Sequence, residues 1–148
     1  MLTEILLGKL ESLDRIIAQV RAYQALAPEL EQQNPYLSED AILMNLQRAC
    51  EVGISVAHAV ARRYRFGVPT NAREAFQLLG KHQVVPNSVV TRLQQMIGFR
   101  NICVHAYTDL DEEVTHFVME HGLEEIREFV RAATAWVIQN PHADDSPE

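Results

Sequence analysis

Apolar residues recur at spacings of three and four along almost the whole chain, and no segment alternates convincingly with a period of two. That spacing lays a continuous apolar stripe on one face of a helix, and each stripe must be buried against another helix. Leu2, Ile5, Leu6, Leu10, Leu13, Ile16, Ile17, Val20 and Tyr23 form the first stripe. It predicts a helix over residues 2–27, ended at Ala27-Pro28 because proline disfavours helical geometry in the residue before it. The polar run Glu29–Ser38 reads as a loop, with Ser38 capping a second helix and Glu39 and Asp40 in its first turn.

The second helix is expected to reach about Arg65, turning Leu43, Leu46, Cys50, Ala57, Ala61 and Tyr64 inward, with Gly67 and Pro69 as its stop. Asn71 and Glu74 have the spacing of a capping box for a short third helix ending near Lys81. Pro86 with Asn87 or Ser88 opens a fourth helix that carries Val90, Leu93, Met96, Ile97 and Val104, and Thr108-Asp109 breaks it. Asp109 or Asp111 then caps a fifth helix to about Ile138. Four long helices and one short one, joined by short connections and without internal repeats, predict an all-α, up-and-down four-helix bundle with one additional short helix. The domain spans 1–139, and 140–148 is a polar tail expected to fray.

With 148 residues, 47% hydrophobic and 22% charged, the chain is sized for one globular core. No apolar run approaches a membrane span, the N-terminal segment lacks the basic start of a signal peptide, and Cys50 and Cys103 form neither a disulfide framework nor a zinc pattern. A cytoplasmic protein with reduced thiols, away from membranes, is the expectation. The net charge of −7 is unevenly spread. Residues 1–47 hold three basic and seven acidic groups, residues 48–100 eight and two, and residues 101–148 two and eleven. A polyanion would therefore meet attraction only in the middle of the chain.

The chemistry-bearing segment is Arg100-Asn-Ile-Cys-Val-His105-Ala-Tyr107. On a helix Arg100, Val104 and Tyr107 share one face, and Asn101 and His105 share the adjoining strip. Four hydrogen-bonding residues thus crowd the end of an otherwise apolar helix, a poor arrangement for a core and a good one for a site. Arginine is always charged and grips phosphate bidentately, while histidine titrates near neutrality and moves protons. Together they suit metal-independent cleavage of RNA. His105 would activate the ribose 2′-hydroxyl or protonate the leaving oxygen, and Arg100 would stabilise charge developing on the phosphate. One histidine does not easily serve both ends of an in-line displacement, and a symmetric dimer would supply a second.

The segment resembles the HEPN-domain toxins, which carry Arg, four to six residues, then His. Arg100, His105 and Tyr107 match the longer Arg-x4-His-x-Tyr form of the HepT branch, with Asn101 as the common polar neighbour. The surroundings are similar too: Asn71-Ala-Arg-Glu-Ala-Phe, Leu-Leu-Gly-Lys at 78–81, and Met96-Ile-Gly-Phe-Arg-Asn. The resemblance spans roughly residues 1–138 and is strongest over 71–115. It implies a HEPN-like helical homodimer with the Arg and His of both subunits in one cleft, acting as a metal-independent RNase in a bacterial type II/VII-like toxin–antitoxin pair. It further implies an MntA-like nucleotidyltransferase antitoxin that modifies the motif tyrosine with AMP, which makes Tyr107 the candidate acceptor and RNA the substrate. The alternative is a non-catalytic HEPN module that only binds such a nucleotidyltransferase.

Other residues keep two readings. Arg62, Arg63 and Arg65 suit RNA phosphates, or serve as cations at a helix C-terminus. Tyr64 among them suits a stacked base, or the core. His116 and His121 stand five apart, not the four of a helical metal pair, and no metal or cofactor signature is present.

Overall fold

The computed structural model describes residues 1–33, 37–105 and 121–142, with side chains for all of these except 27, 30, 31, 33, 37–39 and 99–105. Five helices lie in these residues, with no strand among them: α1 (Leu2–Gln33), α2 (Leu37–Arg63), α3 (Ala72–Lys81), α4 (Asn87–His105) and α5 (Leu123–Gln139). The all-α bundle expected from the apolar periodicity is the fold observed. Helix α2 is its centre, packing on each of the other four helices, while α5 closes the bundle against α1, α2 and α4.

The stripes point inward as the spacing requires. Leu2, Leu6, Leu13, Ile16 and Val20 of α1 are buried, and so are Leu43, Leu46, Cys50, Ala57 and Ala61 of α2. Ile5 is the exception on α1, 53% exposed at the stripe's edge. Phe129 of α5 is fully buried and meets Phe76 of α3 edge-on, with centroids 5.2 Å apart. Close approach of α3 and α4 depends on Gly80, where a Cβ would lie 2.8 Å from Val90 Cγ2 and 2.9 Å from Asn87 Oδ1.

Helix α1 departs from expectation, because it continues through Pro28 to Gln33 and does not end at Ala27. Proline within a helix forfeits one hydrogen bond, here that of the Gln24 carbonyl. Strong helix formers flank it on both sides, Gln24-Ala25-Leu26 and Glu29-Leu30-Glu31-Gln32. Leu26, Pro28 and Glu29 are exposed, so water reaches the carbonyl left over. The predicted loop is correspondingly shorter, since α2 starts at Leu37.

The α3 cap follows the predicted spacing with one difference. Asn71 Oδ1 accepts from Glu74 N–H at 2.8 Å. The Glu74 carboxylate reaches back one residue further than a standard capping box, accepting from the backbone N–H (3.2 Å) and hydroxyl of Thr70. These bonds hold its pKa below the usual 4.5, the hydroxyl bond contributing most and the backbone bond next. Helix α4 opens on Pro86, whose carbonyl accepts from Val89 and Val90. The break at Thr108-Asp109 and the caps at Asp109 or Asp111 fall outside the described residues. No helix among the described residues is long and apolar enough to cross a membrane.

The contacts also fix helix directions. Gly53 faces Ile126, and Tyr64 packs on Trp136, so α2 and α5 run in parallel. Gly80 meets Val90 and the Arg73 carbonyl meets Gln94, so α4 runs opposite to α3. Arg92 pairs with Glu125 at 3.9 Å, setting α4 against the start of α5. Helix α4 therefore travels away from the pole at which α2, α3 and α5 end.

Candidate active site

Helix α4 positions the motif. Val90, Leu93, Met96 and Ile97 are buried along its inward stripe. The positions seven residues after Leu93 and Ile97 are Arg100 and Val104. Two turns of helix bring residues seven apart almost back into line, so an arginine occupies a stripe position that the core fills with leucine one heptad earlier. Arg100, Asn101 and His105 all belong to the last turn and a half of α4. Tyr107 lies outside the described residues, as do the side chains of the other three.

The arginine cluster lies at another end of the bundle. Arg62 and Arg63 close α2 and Arg65 follows them. The end of α3 lies against the start of α4, with Gly80 on Val90, and meets the end of α2 where His82 stacks on Phe66, while α4 climbs ten residues from Val90 to Arg100. At 1.5 Å per residue Arg100 stands about 15 Å along α4 from the Gly80–Val90 contact, on the side away from the cluster. Within one chain the structure brings Arg100, Asn101 and His105 onto one helix end, and Arg62, Arg63 and Arg65 onto the opposite pole.

That opposite pole is built from aromatic rings the sequence reading did not connect. The Tyr64 ring meets Trp136 edge-on at 4.8 Å and His142 at 5.8 Å, and its hydroxyl donates to the Asn140 carbonyl. Of its two readings, Tyr64 takes the packed one. Phe66 stacks face to face on His82, with centroids 3.9 Å apart and planes within 6°. Asn140 caps α5 through its backbone N–H, bonded to the Trp136 and Val137 carbonyls. Residues 140–142 are thus tied down, and 143–148 lie outside the described residues. Arg65 takes a left-handed backbone, φ 55°, at the helix stop. Glycine is the usual residue there, and a side chain costs about 1 kcal/mol. No local signal in the sequence links Phe66 to His82 or Tyr64 to Trp136, because the pairs meet only through helix packing.

A crevice of about 250 Å³ between α4 and α5 is lined by Arg92, His121, Glu124, Glu125 and Glu128, with Val89 and Leu93 beneath. Two clefts of about 570 and 410 Å³ lie between α1 and α2, and no residue of α4 lines them. No group of three His, Cys, Asp or Glu side chains placed to hold a metal is present among the described residues.

Comparison with known proteins places this arrangement in context. A family model described as ribonuclease HepT-like matches residues 13–133, a span that contains the whole Arg100–Tyr107 segment. The chain is 28% identical over 129 residues to the mRNA nuclease HepT of Shewanella oneidensis, covering 87% of this chain and 96% of that protein. It is 24% identical over 100 residues to the tRNA nuclease HepT of Aphanizomenon flos-aquae, covering 68% of each. Among solved structures it superposes, with a TM-score of 0.79 and 27% identity, on the tri-AMPylated Shewanella oneidensis HEPN toxin in complex with its MNT antitoxin, over 88% of this chain and 97% of that one.

Proposed function

Because this chain belongs to the HepT-like ribonuclease family, we propose that it is the endoribonuclease toxin of a bacterial toxin–antitoxin pair, with Arg100 and His105 as its catalytic residues. The observation that carries the reading is the Arg-x4-His-x-Tyr segment, which falls at the end of α4 inside the matched span. His105 takes the proton of a ribose 2′-hydroxyl, and the freed oxygen attacks the adjacent phosphorus in line. The 5′-oxygen of the next nucleotide leaves and takes a proton from the His105 of a second subunit. Arg100 bonds the non-bridging oxygens and stabilises the charge that builds on them. No step needs a metal. A homodimer that joins two α4 ends gives each phosphate one histidine on either side.

Tyr107 is the regulatory residue in this reading. The solved relative is an AMPylated toxin bound to an MNT antitoxin, and a nucleotidyltransferase of that kind would place AMP on Tyr107. Bulky anionic nucleotides beside Arg100 would occupy the space and the charge that RNA requires.

Cleavage of RNA in excess chelator by the purified chain tests the reading. His105→Ala is expected to lose about 10²–10⁴-fold in rate and Arg100→Ala about 10²–10³-fold. Equal rates in all three proteins would remove the motif from the chemistry. No cleavage by any of them, with tight binding of the nucleotidyltransferase, would support a non-catalytic module. Incubated with that partner and ATP, the chain should gain mass in steps of one AMP, and Tyr107→Phe should gain none.

A further inference from the structure

Resting on the ribonuclease reading above, we propose that the pole where α2, α3 and α5 end is a second contact site for single-stranded RNA, built from Arg62, Arg65, Lys81 and His82. From Val52 through Thr108 the chain carries one carboxylate, Glu74, and that one is engaged by Thr70. Arg62, Arg65, Lys81 and His82 are all exposed. Arg62, Arg65 and Lys81 have no ion-pair partner among the described residues. Carbonyls at the ends of α2 and α3 draw on part of this positive charge. Arg65 lies beyond the last residue of α2, in a left-handed backbone conformation.

The aromatic half of the site decides in favour of a single strand. Phe66 covers one face of the His82 imidazole, and His82 is exposed, with no second ring against it among the described residues. A flat ring already backed by a second ring is a stacking platform for an unpaired base, beside cations that hold phosphates. Tyr64 cannot serve, because its ring is packed on Trp136 and His142. A duplex offers no free base face, and its phosphates alone would leave His82 unused. Gly80, next to Lys81 and His82, lies against Val90, so the site stands about 15 Å or more from Arg100 along the axis and assists cleavage only of strands long enough to reach both.

The test uses the full chain carrying His105→Ala, so that RNA is bound and not cut. The probe is a fluorescent single strand of about 20 nucleotides, titrated across salt concentrations. Adding Arg62→Ala and Arg65→Gly is expected to weaken binding by about tenfold or more and to reduce the salt slope by about 1.4, near 0.7 per lost phosphate contact. Melting temperature should hold, because glycine relaxes the backbone at position 65. His82→Ala should weaken binding by about fivefold or more without changing the salt slope. A dinucleotide, too short to bridge the two regions, should be cut at one rate by otherwise wild-type protein with and without Arg62→Ala/Arg65→Gly. Unchanged affinity and slope in the double variant would overturn the site and leave the arginines as helix-end cations. The ribonuclease reading fails separately: RNA bound through Arg62 and Arg65 but never cut would sink that reading and spare this one.

Discussion

The two poles of the bundle spend their polar residues differently. At the end of α4 an arginine stands where the apolar stripe of Leu93 and Ile97 would continue, followed five residues later by a histidine. At the opposite pole the aromatic and polar groups tie chain ends together: Tyr64 to Trp136, His142 and the Asn140 carbonyl, and Phe66 to His82. The first pattern works against packing, and the proposed function gives it a chemical explanation. The second is explained by packing first, and what remains available for binding is the exposed rim of cations and one ring face.

The comparison predicts opposite kinds of loss. The largest effect belongs to the motif: His105→Ala should lower turnover by orders of magnitude while its melting temperature stays near wild type. A large drop in stability would show that the residue is structural, and the contrast between poles would disappear. At the other pole, Trp136→Ala removes the ring against which Tyr64 and Phe66 pack. It is expected to cost about 2–3 kcal/mol of stability, less than a fully buried aromatic because Trp136 is half-exposed. Denaturant unfolding would measure the loss, and cleavage of a short RNA per folded molecule should hardly change. A Trp136→Ala protein of normal stability that had lost turnover would reverse the assignment of roles.

Much of this was legible from local patterns. Apolar spacing located the inward faces of α1, α2 and α4, and the Asn71–Glu74 spacing located the cap of α3, because these are properties of neighbouring residues. Pro28 misled because a proline's local penalty is outweighed when strong helix formers lie on both sides and solvent satisfies the freed carbonyl. Arg62, Arg63 and Arg65 share the basic middle of the chain with Arg100. Helix direction separates them, since α2 and α4 run oppositely and leave by opposite poles. Direction is a property of tertiary packing, as is the Tyr64–Trp136 contact between residues 72 positions apart, and neither has a local signature.

The smallest effect expected sits on the connection between the poles. Residues 64–71 bring the chain from the end of α2 to the start of α3, and the Asn71–Glu74 cap with its Thr70 bonds anchors that return. Glu74 ionises below its usual 4.5 because the Thr70 hydroxyl and N–H favour the carboxylate. A depressed folded-state pKa means that the unfolded chain takes up the proton first as pH falls. The stabilisation from Glu74 is therefore complete above about its ordinary value and is lost as pH drops through the lower folded value. Glu74→Gln keeps the shape and an acceptor oxygen but removes the charge, so it should melt slightly below wild type at pH 7, with the gap closing between pH 4.5 and the depressed pKa. A gap of constant size down to the acid limit would mean that the cap acts through shape alone. Equal melting at pH 7 would mean that Asn71 and the Phe66–His82 stack hold the connection without it, and would place that stack on the structural side of the comparison more firmly than its exposed ring face indicates.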